Sequence, residues 1–284
     1  PMNLAGGGMM NINDMIKPLG FEKGGSMNRR NMNPNYKANR DNLKVTHWGM
    51  YDSREEERES MAAQMGRLFD YLECMPVSIL SLEKVEADDI ISFVAQGLAS
   101  VGRKATIVSS DKDFLQIVKP GVEVYAPIKK KTFTQDNILE EIKVSSVNYL
   151  IAKALLGDNS DNLRGIKGLG IKTLIKEFPE LKTSKKIELD FIYERAEEKL
   201  EEKKIFARII HDWDHVKTNY KIMNLQEAQL DQNEKTHIMD VLNGSTPGLN
   251  TGTFLYYLEK DEIQGITKNT EGWLETFRPL TISE

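Results

Sequence analysis

The apolar positions of this chain change period several times, and each change marks an element. Between Arg54 and Leu72, the residues Met61, Met65, Leu68 and Leu72 recur at three- and four-residue spacing. That spacing predicts a helix with one apolar stripe, expected to pack into a core. Glu55-Glu56-Glu57 fills its first turn, where the helix dipole favours negative charge. Val77-Ser-Ile-Leu-Ser-Leu82 reads as a strand. Residues 86–101 read as a helix with Ile90, Val94, Leu98 and Val101 on one face. Ala105-Thr-Ile-Val108 is a second strand, Asp113 to Val118 a helical turn or short helix, and Val122-Glu-Val-Tyr-Ala126 a third strand. Strand, helix, strand, helix, strand predicts an α/β fold with a parallel sheet. From about Gln135 onward the pattern is mostly helical: Ser145 to Leu156 and Ile171 to Phe178 flank a glycine-punctuated turn, and Ile187 to Lys217 holds one or two charged helices. The expected organisation is an α/β core over residues 1–134, a helical region over 135–225, and a segment, 226–284, without an interpretable motif.

Composition narrows the class. At 284 residues the chain can bury a full core, and 40% hydrophobic with 29% charged residues is ordinary for a soluble protein. No apolar run is long enough to span a bilayer, so no membrane partner is expected. The N-terminus lacks the basic start and apolar core of a signal peptide. The single cysteine, Cys74, excludes an internal disulfide framework and fits a reducing cytoplasm, where a small buried residue is the plain reading. A net charge of −5 argues against nucleic acid until the placement of the acids is considered.

Seven of those acids fall into three clusters: Glu86-Ala87-Asp88-Asp89, Asp111-Lys112-Asp113 and Asp158-Asn159-Ser160-Asp161. Each sits at the junction of an element and a loop, and in open α/β sheets sites lie beyond the carboxyl ends of strands. Taken singly, each has a bland reading as dipole partners, a turn, or an N-cap with an Asx-turn. Brought together, seven carboxylates repel unless divalent cations neutralise them. Hard oxygen donors suit Mg²⁺ or Mn²⁺ rather than zinc, and two such ions about 3.5–4 Å apart would clamp a phosphodiester. Glu86 and Asp89, three apart, share a helix face, while Asp88 points elsewhere, toward a different metal or a water bound beside it.

Gly165, Gly168 and Gly170 follow the third cluster directly and let backbone approach a phosphate closely. Lys167 and Lys172 add charge without base readout, which predicts sequence-independent duplex binding. Residues 24–40, GGSMNRRNMNPNYKANR, supply Arg29, Arg30, Tyr36, Lys37 and Arg40. On composition this is either a solvated loop or a phosphate-contacting one. The whole set points to metal-dependent cutting of nucleic acid.

VEADD, SSDKDF and GDNSDNLRGIKGLGIKT, with MNPNYKANRD before them, resemble the 5′ nuclease family of phage 5′–3′ exonucleases, polymerase-linked 5′ nucleases and flap endonucleases. The resemblance covers roughly residues 20–180, and phage members look most similar. It implies a parallel-sheet core, a helical arch over about 41–73, and a helix–three-turn–helix that grips duplex phosphates with a bound K⁺. It assigns Glu86, Asp88, Asp111 and Asp113 to a first metal site, directly or through water, and Asp89, Asp158 and Asp161 to a second site or its shell. Glu22 stands where the family has an aspartate ligand; Lys37, Arg40 and Lys153 match basic residues near the scissile phosphate; Arg29, Arg30 and Tyr36 join the DNA-binding set. The implied substrates are DNA with a 5′ flap, nick or free 5′ end, and RNA–DNA hybrid in primer removal during phage replication. A replication clamp or single-strand-binding protein is an implied partner, and the chain is expected to be monomeric. The family's usual N-terminal strand ending in aspartate has no counterpart in Pro1 to Leu19, where Asp14 is the sole acid, so an incomplete or altered terminus is expected. Two rivals stand beside this reading: a junction-binding homologue weak in catalysis, and a Toprim-like domain, which would leave GDNSDN and the glycine turn unexplained.

Overall fold

The structure, a computed structural model, describes residues 29–37, 50–245, 247–264 and 268–281. The chain divides into two compact units: residues 11–42 with 82–235, and residues 1–10 with 43–81 and 236–284. The expected boundary near residue 134 therefore falls inside the larger unit. The reason is a shared core, in which Val124, Phe133 and Ile138 belong to the same apolar cluster as Ile151, Leu155, Phe178 and Phe206.

The larger unit is built on a three-stranded sheet of β1 (Ala105–Val108), β2 (Val122–Ala126) and β3 (Lys131–Phe133). β1 and β2 run parallel, with Ala105 opposite Val122 and Val108 opposite Tyr125, and β3 returns antiparallel with Phe133 opposite Val124. Period-two alternation decides the faces: Ala105, Ile107, Val122, Val124 and Ala126 are buried, while Thr106 and Val108 are exposed. Helix Ala87–Ser100 precedes β1 and buries Ile90, Phe93 and Ala95. The segment read as a short helix after β1 is a 3₁₀ helix, Lys112–Ile117, whose Phe114, Leu115 and Ile117 are buried. Helix Tyr149–Leu156 leads into a two-stranded hairpin, β4 (Gly157–Asp158) and β5 (Leu163–Arg164). Beyond it lie helices Ile171–Glu177, Leu189–Glu198, Lys204–His211 and Trp213–Met223, so the charged stretch expected to hold one or two helices breaks into three.

After Met223 the chain is tied back onto the larger unit by side-chain amides. Gln116 donates to the Met223 carbonyl at 3.1 Å and accepts from the Leu225 amide at 3.0 Å, and Gln96 donates to the Leu225 carbonyl at 3.2 Å. Leu225, Ala228 and Leu230 are buried along this strap. Residues 226–235, uninterpretable in sequence, are thus part of the unit that holds the acidic clusters.

In the smaller unit, helix Arg54–Glu73 starts at Ser53, whose hydroxyl accepts from the Glu56 amide at 3.1 Å. Its Met stripe does not pack: Met61, Met65 and Leu68 are 59%, 48% and 46% exposed. A different line of residues makes the contacts. Arg67 pairs with Asp261 at 3.0 Å, the Tyr71 hydroxyl donates to Asp261 at 2.9 Å, and Cys74 is buried with Phe254, Leu258 and Leu274. Residues 77–82, read as a strand, form none; Val77 and Leu80 are only half-buried, and an unpaired backbone gains nothing from extension. Among the described residues no helix is long and apolar enough to cross a membrane.

Candidate metal centre

The three acidic clusters are brought to one place by the start of a helix, the loop after β1 and the β4–β5 hairpin. Glu86 is the N-cap of helix Ala87–Ser100, with extended backbone and no capping bond of its own, so its carboxylate is available elsewhere. Asp88 and Asp89 occupy the first turn. Asp111 follows β1 through Ser109-Ser110 and caps the 3₁₀ helix, its Oδ1 accepting from the Asp113 amide at 2.8 Å. Asp158 lies on β4, where it accepts from the Ser160 amide at 2.9 Å, and Asp161 sits in the turn of the hairpin.

A pocket of about 180 Å³ is lined by Glu86, Asp88, Asp111, Asp113 and Asp161 together with Arg29, Tyr36, Lys37, the helix-end residues Ile222 and Met223, and Leu225 of the strap. Asp113, Asp158 and Asp161 each offer an oxygen within 4.8 Å of the others. The loop bearing Lys37 is fixed against the hairpin: the Lys37 amide donates to the Asp161 carbonyl at 3.0 Å, and Asn162 Nδ2 to the Asn35 carbonyl at 2.9 Å. Lys37 adopts a left-handed backbone, φ 55°, and its Nζ reaches Glu86 at 3.1 Å.

The electrostatics record this crowding. Burial pushes the Asp88 carboxyl up to about 6, with the charge of Asp111 adding to it and Lys37 opposing. Burial likewise raises Asp113, outweighing the nearby Lys153. Lys153, 7% exposed, bonds Asp113 and also Asp158 at 3.0 Å. Burial works against its charge, but the two carboxylates hold its pKa above the ordinary lysine value. Asp158 moves the other way: burial would raise it, yet donors from Ser160 and Lys153 leave it below the usual carboxylate range. Burial, then the charge of Glu86, pushes the Tyr36 phenol above its ordinary value.

Four of the expected site residues take defined places in the geometry. Asp89, placed in the second metal site or its shell by resemblance, is 2% exposed and does not line the pocket; its carboxylate is taken by Arg29 at 2.6 and 3.0 Å. Arg29, expected to contact DNA, is 6% exposed and is committed to that pair. Tyr36, also expected on the DNA side, is buried, and its hydroxyl donates to Glu86 at 3.2 Å. Asp88, expected off the Glu86–Asp89 face and, by resemblance, in the first metal site, lines the pocket with Glu86 and Asp111. Glu86 and Asp89 do share a side of the helix, but what meets them there is a guanidinium. Asp14, Glu22 and Arg40 lie outside the described residues, as does the side chain of Arg30.

The glycine turn is built as close backbone packing. A Cβ on Gly165 would lie 2.0 Å from the Leu156 carbonyl oxygen, so no larger residue fits there. Gly168 has φ +81°, and the neighbouring Lys167 carbonyl accepts from Arg208 at 2.9 Å. Ile166, Leu169 and Leu174 anchor the turn from inside, Gly170 caps helix Ile171–Glu177, and Lys167 and Lys172 are exposed. Arg208, the helix-end residues Ile222 and Met223, and Leu225 of the strap escaped sequence reasoning because no motif marks them. His211 and His215, four apart in sequence, go to separate partners, Asp212 and the Arg164 carbonyl.

Residues 14–143 match the model of the 5′–3′ exonuclease N-terminal, resolvase-like domain. Over this stretch the chain is similar to the 5′ nuclease family. It is 33% identical over 141 residues to a DNA polymerase I of Rhizobium leguminosarum, covering 47% of this chain and 14% of the polymerase. It is 32% identical over 151 residues to a 5′–3′ exonuclease of Buchnera aphidicola, covering 52% of this chain and 53% of that protein. A flap endonuclease of Shewanella halifaxensis is 27% identical over 150 residues, covering 52% of this chain and 60% of that one. The chain thus spans about half of the exonuclease and a small part of the polymerase. The fold is similar to bacteriophage T5 flap endonuclease solved as a pseudo-enzyme-product complex with DNA and metal ions, with TM-score 0.61, 19% identity, and 78% of this chain and 80% of that one covered. A T5 5′-exonuclease solved with bound zinc gives TM-score 0.61 at 20% identity over the same shares.

Proposed function

We propose that the chain is a metal-dependent, structure-specific 5′ nuclease that hydrolyses phosphodiesters at 5′ flaps, nicks or free 5′ ends. The observation that carries this reading is the pocket where Glu86, Asp88, Asp111, Asp113 and Asp161 converge beside Lys37. The donor set consists of hard oxygens only, which fits Mg²⁺, with Mn²⁺ as substitute. Asp113, Asp158 and Asp161, whose oxygens lie within 4.8 Å of one another, would hold one ion, and Glu86, Asp88 and Asp111 the other. When bound, such ions lower the pKa of water and neutralise charge on a phosphodiester.

The protein's own groups do the rest. Asp88, whose carboxyl is held near 6, gives up its proton readily at neutral pH once a cation faces it. Lys37, at the rim of the pocket, is placed to pair with a phosphate oxygen. Lys153 keeps Asp113 and Asp158 in register across two elements. Exposed Lys167 and Lys172 on the glycine turn supply duplex contacts to phosphate alone, and a K⁺ in that turn belongs to the same reading. Removal of RNA primers, with a clamp or single-strand-binding protein as partner, extends the proposal to replication.

The test is a cleavage panel with 5′-labelled flap, nick and RNA–DNA hybrid substrates, with and without Mg²⁺. Asp111→Ala and Asp158→Ala are expected to lower cleavage at least about 100-fold, a few kcal/mol of transition-state stabilisation, while duplex binding in Ca²⁺ survives. Cleavage by both variants at the parent rate would overturn the site. Flap binding in Ca²⁺ with no cutting in Mg²⁺ or Mn²⁺ would instead make the chain a junction-binding protein.

A further inference from the structure

Glu86 is a poorly constrained side chain by its own chemistry. It stands at an N-cap, outside the helix proper, and makes no capping bond. A glutamate with several free torsions pays an ordering cost whenever it must hold one geometry. In this structure Arg29, Tyr36 and Lys37 restrain it, and of the three Arg29 is itself fixed to other segments. Arg29 Nη1 donates to Glu86 Oε2 at 2.9 Å, and the rest of the same guanidinium is fixed elsewhere. Nη1 and Nη2 grip Asp89 at 2.6 and 3.0 Å, and Nε donates to the Ile222 carbonyl at 2.7 Å.

The fixed points come from separate segments. Asp89 is on helix Ala87–Ser100, and its Oδ1 also accepts from the Gln229 amide at 2.9 Å. Ile222 is in the last turn of helix Trp213–Met223. The planar fork of an arginine transmits that fixity to a third partner in a way a flexible ammonium cannot. Tyr36, itself buried, donates to the same Glu86 oxygen at 3.2 Å, so Oε2 is held from two sides while Oε1 faces Lys37. Asp89, 2% exposed, would be costly to bury without a counter-charge, which explains an acid so near the pocket that does not line it.

We propose that Arg29 is a positioning residue for Glu86, held in place by Asp89 and the Ile222 carbonyl, and that this clamp sets the affinity of the pocket for its divalent ion. The inference rests on Glu86 being a metal ligand, as proposed above. Partners that orient a ligand typically change metal affinity about 10–100-fold when removed.

The experiment is Mn²⁺ titration of the full chain by calorimetry, with thermal unfolding of every variant in chelator. Glu86→Gln tests the premise and should weaken binding. Arg29→Met alone would strand a buried carboxylate, so it is combined with Asp89→Asn, which removes both charges and keeps an acceptor for Gln229. This double variant should stay folded and bind Mn²⁺ about 10–100-fold more weakly. Arg29→Lys, which keeps the charge but not the fork, should fall between it and the parent. If Glu86→Gln binds as the parent does, Glu86 is not a ligand and the inference falls with its premise. If Glu86→Gln weakens binding but the folded double variant matches the parent, the positioning role alone is refuted.

Discussion

Lys153→Met is the perturbation that separates a structural counter-charge from a merely neighbouring one. Lys153 is 7% exposed and bonds Asp113 and Asp158, which are themselves only 19% and 22% exposed at their side chains. Methionine fills similar volume but leaves two close carboxylates without their cation. Breaking a buried pair from one side costs about 3–5 kcal/mol, and partial exposure of the two acids brings this to about 2–4 kcal/mol. For a unit of this size that is a fall in Tm of about 5–15 °C. The assay is urea and thermal unfolding in chelator at pH 7.5, repeated at pH 5 and in saturating Mn²⁺. The deficit should be smaller at pH 5 than at pH 7.5, because acid works toward protonating these carboxylates, Asp113 more readily than Asp158 since burial raises it, and each proton relieves the repulsion. It should shrink again in Mn²⁺, which supplies the missing charge to Asp113, Asp158 and Asp161. A deficit under about 1 kcal/mol in chelator, or one indifferent to both pH and Mn²⁺, would refute the reasoning.

Three further outcomes follow from the same geometry. Asp88 has a folded pKa of about 6 against 3.8 for the free group, so the folded state binds the extra proton. In chelator, stability should therefore fall as pH rises from about 4 through 6, by about 3 kcal/mol, and Asp88→Asn should flatten that part of the profile in urea titrations. Gly165→Ala would force a methyl against the Leu156 carbonyl, where a Cβ lies 2.0 Å away. A loss of about 3 kcal/mol or more is expected, with weaker duplex binding in a Ca²⁺ gel-shift assay; parent-like stability would mean the hairpin and helix separate at no cost. Met65→Glu on the exposed stripe should change stability by less than about 0.5 kcal/mol, and a larger loss in urea unfolding would restore the core-packing expectation.

Much of the fold was legible because its signals are local. Helix Arg54–Glu73 announces itself by an acidic first turn and periodic apolar residues, and the serine at 53 caps it. β1 and β2 appear as short β-branched runs and are parallel, as strand–helix alternation requires. The helix at 87–100, the 3₁₀ helix at 112–117 and the helices flanking the glycine turn fall where the pattern puts them. The misplaced elements share one cause. Whether Val77–Leu82 becomes a strand depends on a partner to take its backbone bonds, and whether the Met stripe is buried depends on which line of the helix meets a neighbour. Neither partner is encoded within the segment itself.

The site divides along the same line. The residues alone specified the acids, the glycines and the order of the clusters, because hard-cation chemistry and close phosphate approach need those residue types wherever they are folded. Only the tertiary structure decided which acids share the pocket. Asp88 and Asp89 are adjacent and chemically identical, yet Asp88 lines the pocket with a raised pKa and Asp89 turns inward to Arg29. One residue of helix rotates a side chain by about 100°. That rotation, together with a guanidinium fixed by Ile222 and a strap bringing Gln229 to Asp89, separates a candidate metal ligand from a buried counter-ion.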